Sequence, residues 1–283
     1  AIFGAGVVQI NLVIDMLLAS FLEKGAISFL YYADRLYQLP LSVVGIAIGT
    51  AMLPMLSRKI KAADMAGART LMRQAVLFSL IMAVPAAAAL IILSENIMIT
   101  LFERGAFLRA DSLASAAALN AYALSLPAFI LVKVFSTMFY AGEDTKTPVK
   151  YAVIGAITNI IGGVILIQFL SYVGIALATA IAAWVQVGLL MLAVRRKMPD
   201  MWRGLGLKTA KILLATLLMA VCLLLINGVF VPANLLERIL FLGILVTVGM
   251  GVYFAVIFAS GTIKFADFRK ILKRDRSIMT EKE

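Results

Sequence analysis

A chain of 283 residues with 63% hydrophobic and only 14% charged residues is excluded from the soluble domains, where charged residues run near 25%. Histidine is absent and Cys222 is the single cysteine. That excludes a disulfide, a zinc centre, a haem and a Ser-His triad, and no nucleophile–base pair or metal cluster appears, so the chain does not read as an enzyme. The net charge of +11 belongs to loops between apolar segments rather than to a nucleic-acid patch.

A bilayer core of about 30 Å needs around 20 apolar helical residues to cross it. Ala1–Leu22, interrupted only by Asp15, is the first such segment; without Met or a basic n-region it reads as a span entered from the middle of a longer protein, not as a signal peptide. Leu36–Ser57 is the second, 22 residues without a charge. Its Gly45 and Gly49 form a Gly-x-x-x-Gly expected to admit a neighbouring helix, as are Gly162-Gly163 and Gly249/Gly251 further on. Ser57–Arg73 reads as a basic amphipathic connector to the third span, Ala75–Leu93. Glu95–Leu108 is expected as a short helix along the outer interface. Ser112–Val132 is the fourth span. Thr147-Pro148 opens the fifth, Tyr151–Leu170, with Thr as cap and Pro at the first position. Ser171–Val194, Ile212–Leu236 and Ile239–Ile263 complete the set. Pro40, Pro54, Pro85 and Pro127 stand inside spans or at their ends, as functional kinks or as packed bends. Strand alternation is absent, so the fold class is an all-α polytopic membrane helix bundle of about eight transmembrane helices.

With Ala1 taken as cytoplasmic, 20 of the 26 basic residues fall on the inside, and only Lys24, Arg104, Arg109 and Arg238 lie in outside loops. The positive-inside rule then places both ends of the chain in the cytoplasm.

Two basic residues remain, and both sit at or in the membrane. An ionisable residue in a span costs roughly 2.5–3.5 kcal/mol on insertion scales, so it normally faces protein or a wet cavity. Arg35 shares a helical face with Tyr31, Tyr32 and Gln38, whereas Asp34 points about 100° away. Either Arg35 presents its planar fork to a phosphate, or it snorkels at the outer end of the span. Lys133 either lines the same cavity or pairs with an acid such as Asp15. Asp15, with Asn11 one turn earlier, joins Asn159 and Thr179 as hard oxygens on three spans. They form a sodium site of the kind transporters build between helices, or an interhelical hydrogen-bond network.

Residues 32–40, Tyr-Ala-Asp-Arg-Leu-Tyr-Gln-Leu-Pro, lead into Ala47–Thr50 and Leu53–Ser57. With Gln9-Ile10-Asn11 and Ala19-Ser20, Leu101-Phe-Glu-Arg-Gly-Ala-Phe107 and Phe139-Tyr-Ala-Gly-Glu-Asp-Thr-Lys-Thr-Pro-Val-Lys150, this pattern resembles the MviN/MurJ family. These are bacterial lipid II flippases of the multidrug/oligosaccharidyl-lipid/polysaccharide exporter superfamily. Other branches of that superfamily, a polysaccharide-repeat flippase or a multidrug antiporter, share the fold and are the nearest alternative. A non-transporting membrane scaffold is the alternative from another class.

The resemblance implies fourteen spans in two six-helix lobes plus two extra helices. This chain matches the C-terminal part: a second lobe over 1–196, two further helices over 197–263 and a basic cytoplasmic tail over 264–283. The first lobe and half of the cavity wall then belong to the rest of the protein. Implied with it are a place in the bacterial inner membrane, peptidoglycan synthesis and cell-shape maintenance, and alternating-access transport of an undecaprenyl-pyrophosphate-linked precursor among the membrane lipids. Arg35 is the implied pyrophosphate ligand, and the candidate substrate set is Arg35, Asp34, Tyr31, Gln38 and Lys133. Some members carry an acid where this chain has Gln38, which takes away the implication of an acid–base pair there. No cofactor is implied beyond a sodium ion or the membrane potential as the source of drive.

Overall fold

The computed structural model describes residues 2–261 except 229, 231 and 233. The basic tail expected over 264–283, and the last residues of the eighth expected span, lie outside them. The described chain is helix after helix: α1 (Ile2–Ser20), α2 (Ala26–Lys61), α3 (Met65–Ile92), α4 (Ser94–Phe102), α5 (Arg109–Ala123), α6 (Leu126–Ala141), α7 (Lys146–Lys197), α8 (Leu205–Asn227) and α9 (Leu235–Ala259). A 3₁₀ turn, Pro199–Trp202, leads into α8.

The length of α2, 36 residues, is about 54 Å at 1.5 Å per residue, so it outruns the bilayer and carries Arg58, Lys59 and Lys61 beyond it. The connector expected over 57–73 is therefore two helix ends around a three-residue turn. Asp64 makes the turn possible: it accepts the Gly67 N–H at 2.8 Å, capping α3, and the Lys59 ammonium at 2.9 Å.

The fourth span is α5 and α6 in series, the most buried of the membrane-length segments. It breaks at Leu124–Ser125, where the Ser125 hydroxyl donates to the Tyr122 carbonyl at 2.6 Å, and Pro127 then starts α6. α6 packs against α2, α3 and α7 and forms the centre of the bundle.

α7 runs for 52 residues, about 78 Å if straight and more than two bilayer cores. Its backbone turns back at Ser171 (φ 50°, ψ −137°), at the boundary drawn between the fifth and sixth spans. The two arms meet residue for residue: Gly155 opposite Gln186, Asn159 opposite Thr179, Gly162 opposite Ala178. Next to the turn only glycine fits, because a Cβ on Gly174 would stand 2.5 Å from the Leu166 carbonyl oxygen. At the start of α7, Asp144 and not Thr147 is the cap; its carboxylate accepts both the N–H and the hydroxyl of Thr147.

α8 begins at Leu205 and ends at Asn227, seven to nine residues earlier than the charge-free stretch Ile212–Leu236 suggested. Lys208 and Lys211 are inside its first turns and reach outward from them; the Lys211 ammonium caps α9 by donating to the Ser260 carbonyl at 2.7 Å. Leu223 packs at 3.1 Å from the position of a Cβ on Gly249, and the Tyr253 hydroxyl donates to the Ile81 carbonyl of α3 at 2.8 Å. Gly49 and Gly251 meet nothing within 4 Å, and the atoms nearest Gly45 are those of Lys133. The Gly45/Gly49 pair is thus not a helix-packing motif.

Polar contacts gather the loops at two ends. At one, Arg69 pairs with Asp200 at 2.9 Å, Arg73 donates to the Asp200 and Met201 carbonyls, and Lys197 pairs with Asp144 at 3.3 Å. At the other, Arg238 pairs with Glu103 at 3.0 Å and Ser171 meets Glu23.

Candidate functional site: a cavity inside the bundle

Between α1, α2, α5, α6 and α7 lies an open cavity of about 520 Å³. Helix periodicity chooses its lining. On α2, Tyr31, Asp34, Gln38 and Leu41 recur at three- and four-residue steps and share one face. Gln38 donates its side-chain N–H to the Asp34 carboxylate. Tyr37 stacks on Tyr122 of α5 with centroids 5.6 Å apart, and both rings line the cavity.

Arg35 falls on the neighbouring face. It is exposed, it is not among the residues lining the cavity, and its guanidinium carbon lies 4.8 Å from the centroid of the Tyr31 ring. Tyr31 itself lines the cavity, so the cation–π contact joins Arg35 to a residue of its wall. The sequence placed Gln38 and Tyr32 on the arginine's face as well. Gln38 instead faces inward with Asp34, and Tyr32 is taken by Phe102 and Phe107, at 4.7 and 5.0 Å.

Lys133, half-way along α6, lines the cavity and stands in no ion pair among the described residues. It lies against Gly45, whose missing side chain leaves the space that the lysine occupies. Pairing of Lys133 with Asp15 is not formed.

Asp15, Asn159 and Thr179 are brought together at the wall made by α1 and the α7 hairpin. Thr179 Oγ1 donates to Asn159 Oδ1 at 3.2 Å, and Asn159 Nδ2 donates to Asp15 Oδ1 at 3.0 Å. The trio forms a hydrogen-bonded chain in which the amide N–H, not a third oxygen, faces the carboxylate. Its donor set holds one carboxylate, and no cluster of three or more His, Cys, Asp or Glu occurs among the described residues. One turn before Asp15, Asn11 lines the same cavity, and its Oδ1 is buried without a partner among the described residues.

Sequence reasoning missed Gln186, Tyr37 and Tyr122 in the lining and the service of Gly45 to Lys133. Gln186 was visible as a lone amide in an uncharged span; the contact of Gly45 with Lys133 has no local signal, because it joins two helices.

Two of the quoted motifs turn out to be joints. Leu101–Phe107 closes a tight turn through the Arg104–Phe107 bridge, sets Phe102 and Phe107 against Tyr32, and lets Glu103 hold Arg238 and, at 3.7 Å, Arg109. Phe139–Lys150 supplies the Asp144 cap and a ring over which the Lys197 ammonium sits at 4.7 Å.

Comparison with known proteins agrees with this geometry. Residues 1–248 match the family model of the lipid II flippase MurJ. A probable lipid II flippase MurJ of Rhizobium tropici is 38% identical over 282 residues, covering 98% of this chain and 53% of the relative. That of Rickettsia prowazekii is 36% identical over 275 residues, covering 95% and 54%. The chain thus spans about half the length of these relatives. Among solved structures, a lipid II flippase MurJ in an inward closed conformation matches with a TM-score of 0.76 at 32% identity, over 91% of this chain and 52% of that one. An outward-facing multidrug resistance MATE family transporter of the MOP superfamily matches with a TM-score of 0.61 at 16% identity, over 90% and 61%, and shares the fold alone. The chain is a multi-pass membrane helix bundle and belongs to the MurJ lipid II flippase family.

Proposed function

We propose that this chain forms one half of a flippase that moves an undecaprenyl-pyrophosphate-linked peptidoglycan precursor across the bacterial inner membrane by alternating access. A first six-helix lobe would close the other side of the cavity, and both ends of the chain would lie in the cytoplasm. The observation that carries the proposal is the cavity within the bundle, whose wall carries Lys133, in no ion pair among the described residues, and Tyr31, over whose ring the Arg35 guanidinium sits. A dianionic headgroup needs cations that are not already neutralised by the protein. Asp34 is engaged by Gln38, which leaves the Arg35 fork available to take two phosphate oxygens at once, as the single ammonium of a lysine does not. A carrier must also release its load, so one or two cations suit it better than a dense cluster.

The test is growth complementation by the full-length protein. Arg35→Ala is expected to abolish it at normal membrane levels, and Arg35→Lys to rescue little. Full complementation by Arg35→Ala would make this arginine an interfacial anchor and remove it from the substrate path. A transport assay with defined lipid-linked substrates separates the peptidoglycan branch from polysaccharide-repeat and multidrug exporters.

A further inference from the structure

The cavity has two levels. Phe29 of α2 meets Tyr172 of α7 with ring centroids 5.4 Å apart, at the end of the bundle where Ser171 meets Glu23. Depth can therefore be counted along both helices from that pair. Asp34 and Thr179 follow the two rings by five and seven residues, which at 1.5 Å per residue puts them about 8 to 10 Å deep. Asp15 and Asn159 join Thr179 there through their hydrogen-bonded chain. Ser42 and Gln186 follow the rings by 13 and 14 residues and stand about 20 Å deep. Lys133 belongs to this second level, because its ammonium lies against Gly45, three residues past Ser42. The carboxylates of the lining, Asp15 and Asp34, are thus shallow, and its lysine is deep.

Lys133 and Arg35 are too far apart to share one pyrophosphate. The Arg35 guanidinium sits over Tyr31, a turn back toward the shallow end. Gly45 lies ten residues beyond Arg35, about 15 Å along α2. Two phosphates joined through one oxygen do not span that gap. The deep level also differs in kind. Ser42 and Gln186 line it, and neither is in a hydrogen bond among the described residues. A lone ammonium with rotatable donors, beside a neutral hydroxyl and an amide, suits a single carboxylate, whereas the planar fork of Arg35 suits phosphate oxygens. With Asp15 and Asp34 at the other level, a ligand carboxylate meets no like charge here.

We propose that Lys133, with Ser42 and Gln186 beside it, takes a carboxylate on the peptide of the precursor while the pyrophosphate is held at Arg35. The inference rests on the flippase reading and adds to it a residue that selects the cargo by its peptide.

The test is binding to the full-length protein in nanodiscs, measured with the lipid-linked disaccharide-pentapeptide and with the same compound after amidation of its peptide carboxylates. The wild type is expected to hold the free-acid form about tenfold more tightly. Lys133→Met should lose that preference, weakening the free acid and leaving the amidated form unchanged. Gly45→Ala, which displaces the ammonium without removing it, should lose the same preference. Arg35→Gln should weaken both forms alike, because the pyrophosphate is common to them. Equal binding of the two forms by the wild type, or a Lys133→Met variant that weakens both alike or neither, overturns the inference and leaves the flippase reading standing. A wild type that binds neither form would remove that reading and this inference with it.

Discussion

Asn159 donates its side-chain N–H to Asp15 at 3.0 Å across 144 positions of the chain, and the same amide accepts the Thr179 hydroxyl. One side chain thereby ties α1 to both arms of the α7 hairpin. Asn159→Ala takes a donor from a carboxylate in the cavity wall and leaves Thr179 only its own-helix acceptor, the Ile175 carbonyl. Loss of such a partner costs about 1–3 kcal/mol. The thermal midpoint of the purified protein should fall by the same amount in sodium and in potassium buffers. A fall confined to sodium would mean that a bound cation, and not the amide, carries the link.

The hairpin makes a steric prediction. Gly174 lies three residues past the turn, and a methyl group there would press on the Leu166 carbonyl and the Ile167 nitrogen, backbone atoms that cannot step aside. Gly174→Ala should cost about 1–3 kcal/mol as overpacking, despite alanine's higher helix propensity. Gly188→Ala on the same arm meets open space and should be neutral or stabilising in the same denaturation assay.

Asp144 predicts a pH dependence outside the membrane. It accepts the Thr147 N–H, the Thr147 hydroxyl and the Lys197 ammonium, and these bonds, the backbone one foremost, hold its carboxyl below the usual range. A carboxyl whose folded pKa lies below its unfolded value of about 3.9 contributes stability above that value and loses it as pH falls through the folded one. Asp144→Asn should therefore be less stable than wild type at pH 7, with the gap closing below about pH 4. An equal gap at both pH values would deny the carboxylate this role.

The membrane class, the α7 turn at Ser171 and the convergence of Asp15, Asn159 and Thr179 were legible because each rests on a one-dimensional signal: charge-free length, or polar atoms in spans that must find partners. Helix ends were less so. Asn227 ends α8 well short of Leu236, and Lys208 lies within it, because a helix whose lysines extend into the headgroups does not stop where charge begins. The surroundings of Arg35 were less legible for a related reason. Sharing a face with Tyr31 was read correctly, but which face the bundle covers depends on Asp34, Gln38 and Tyr37 packing against other helices. The roles of Glu103 and Asp144 as joints needed partners 135 and 53 positions away.

The proposed sidedness can be tested through shared ends. The Arg69–Asp200 pair puts the α2–α3 turn and the segment before α8 on one face of the bundle, and Arg238–Glu103 marks the other. With the first face, rich in Lys and Arg, in the cytoplasm, a cysteine introduced between 200 and 206 should be labelled only after permeabilisation. One at Asn234 should react in intact spheroplasts. The reverse pattern would invert the proposed orientation.

The last prediction concerns Gly45 and Lys133. Lys133 occupies the space that a side chain on Gly45 would need, and it lines the cavity in no ion pair among the described residues. Gly45→Ala should strengthen α2 as a helix by up to about 1 kcal/mol, so a defect in that variant is not a defect of folding. It should nevertheless swing the ammonium away and lower growth complementation at normal membrane levels. Gly49→Ala, one turn along α2 in open space, is the control and should complement fully. If displacement of Lys133 is the cause, Lys133→Ala and the Gly45→Ala/Lys133→Ala double variant should be equally impaired, since a second change cannot remove the same contact twice. Additive losses would mean that Gly45 matters for something other than the lysine it accommodates.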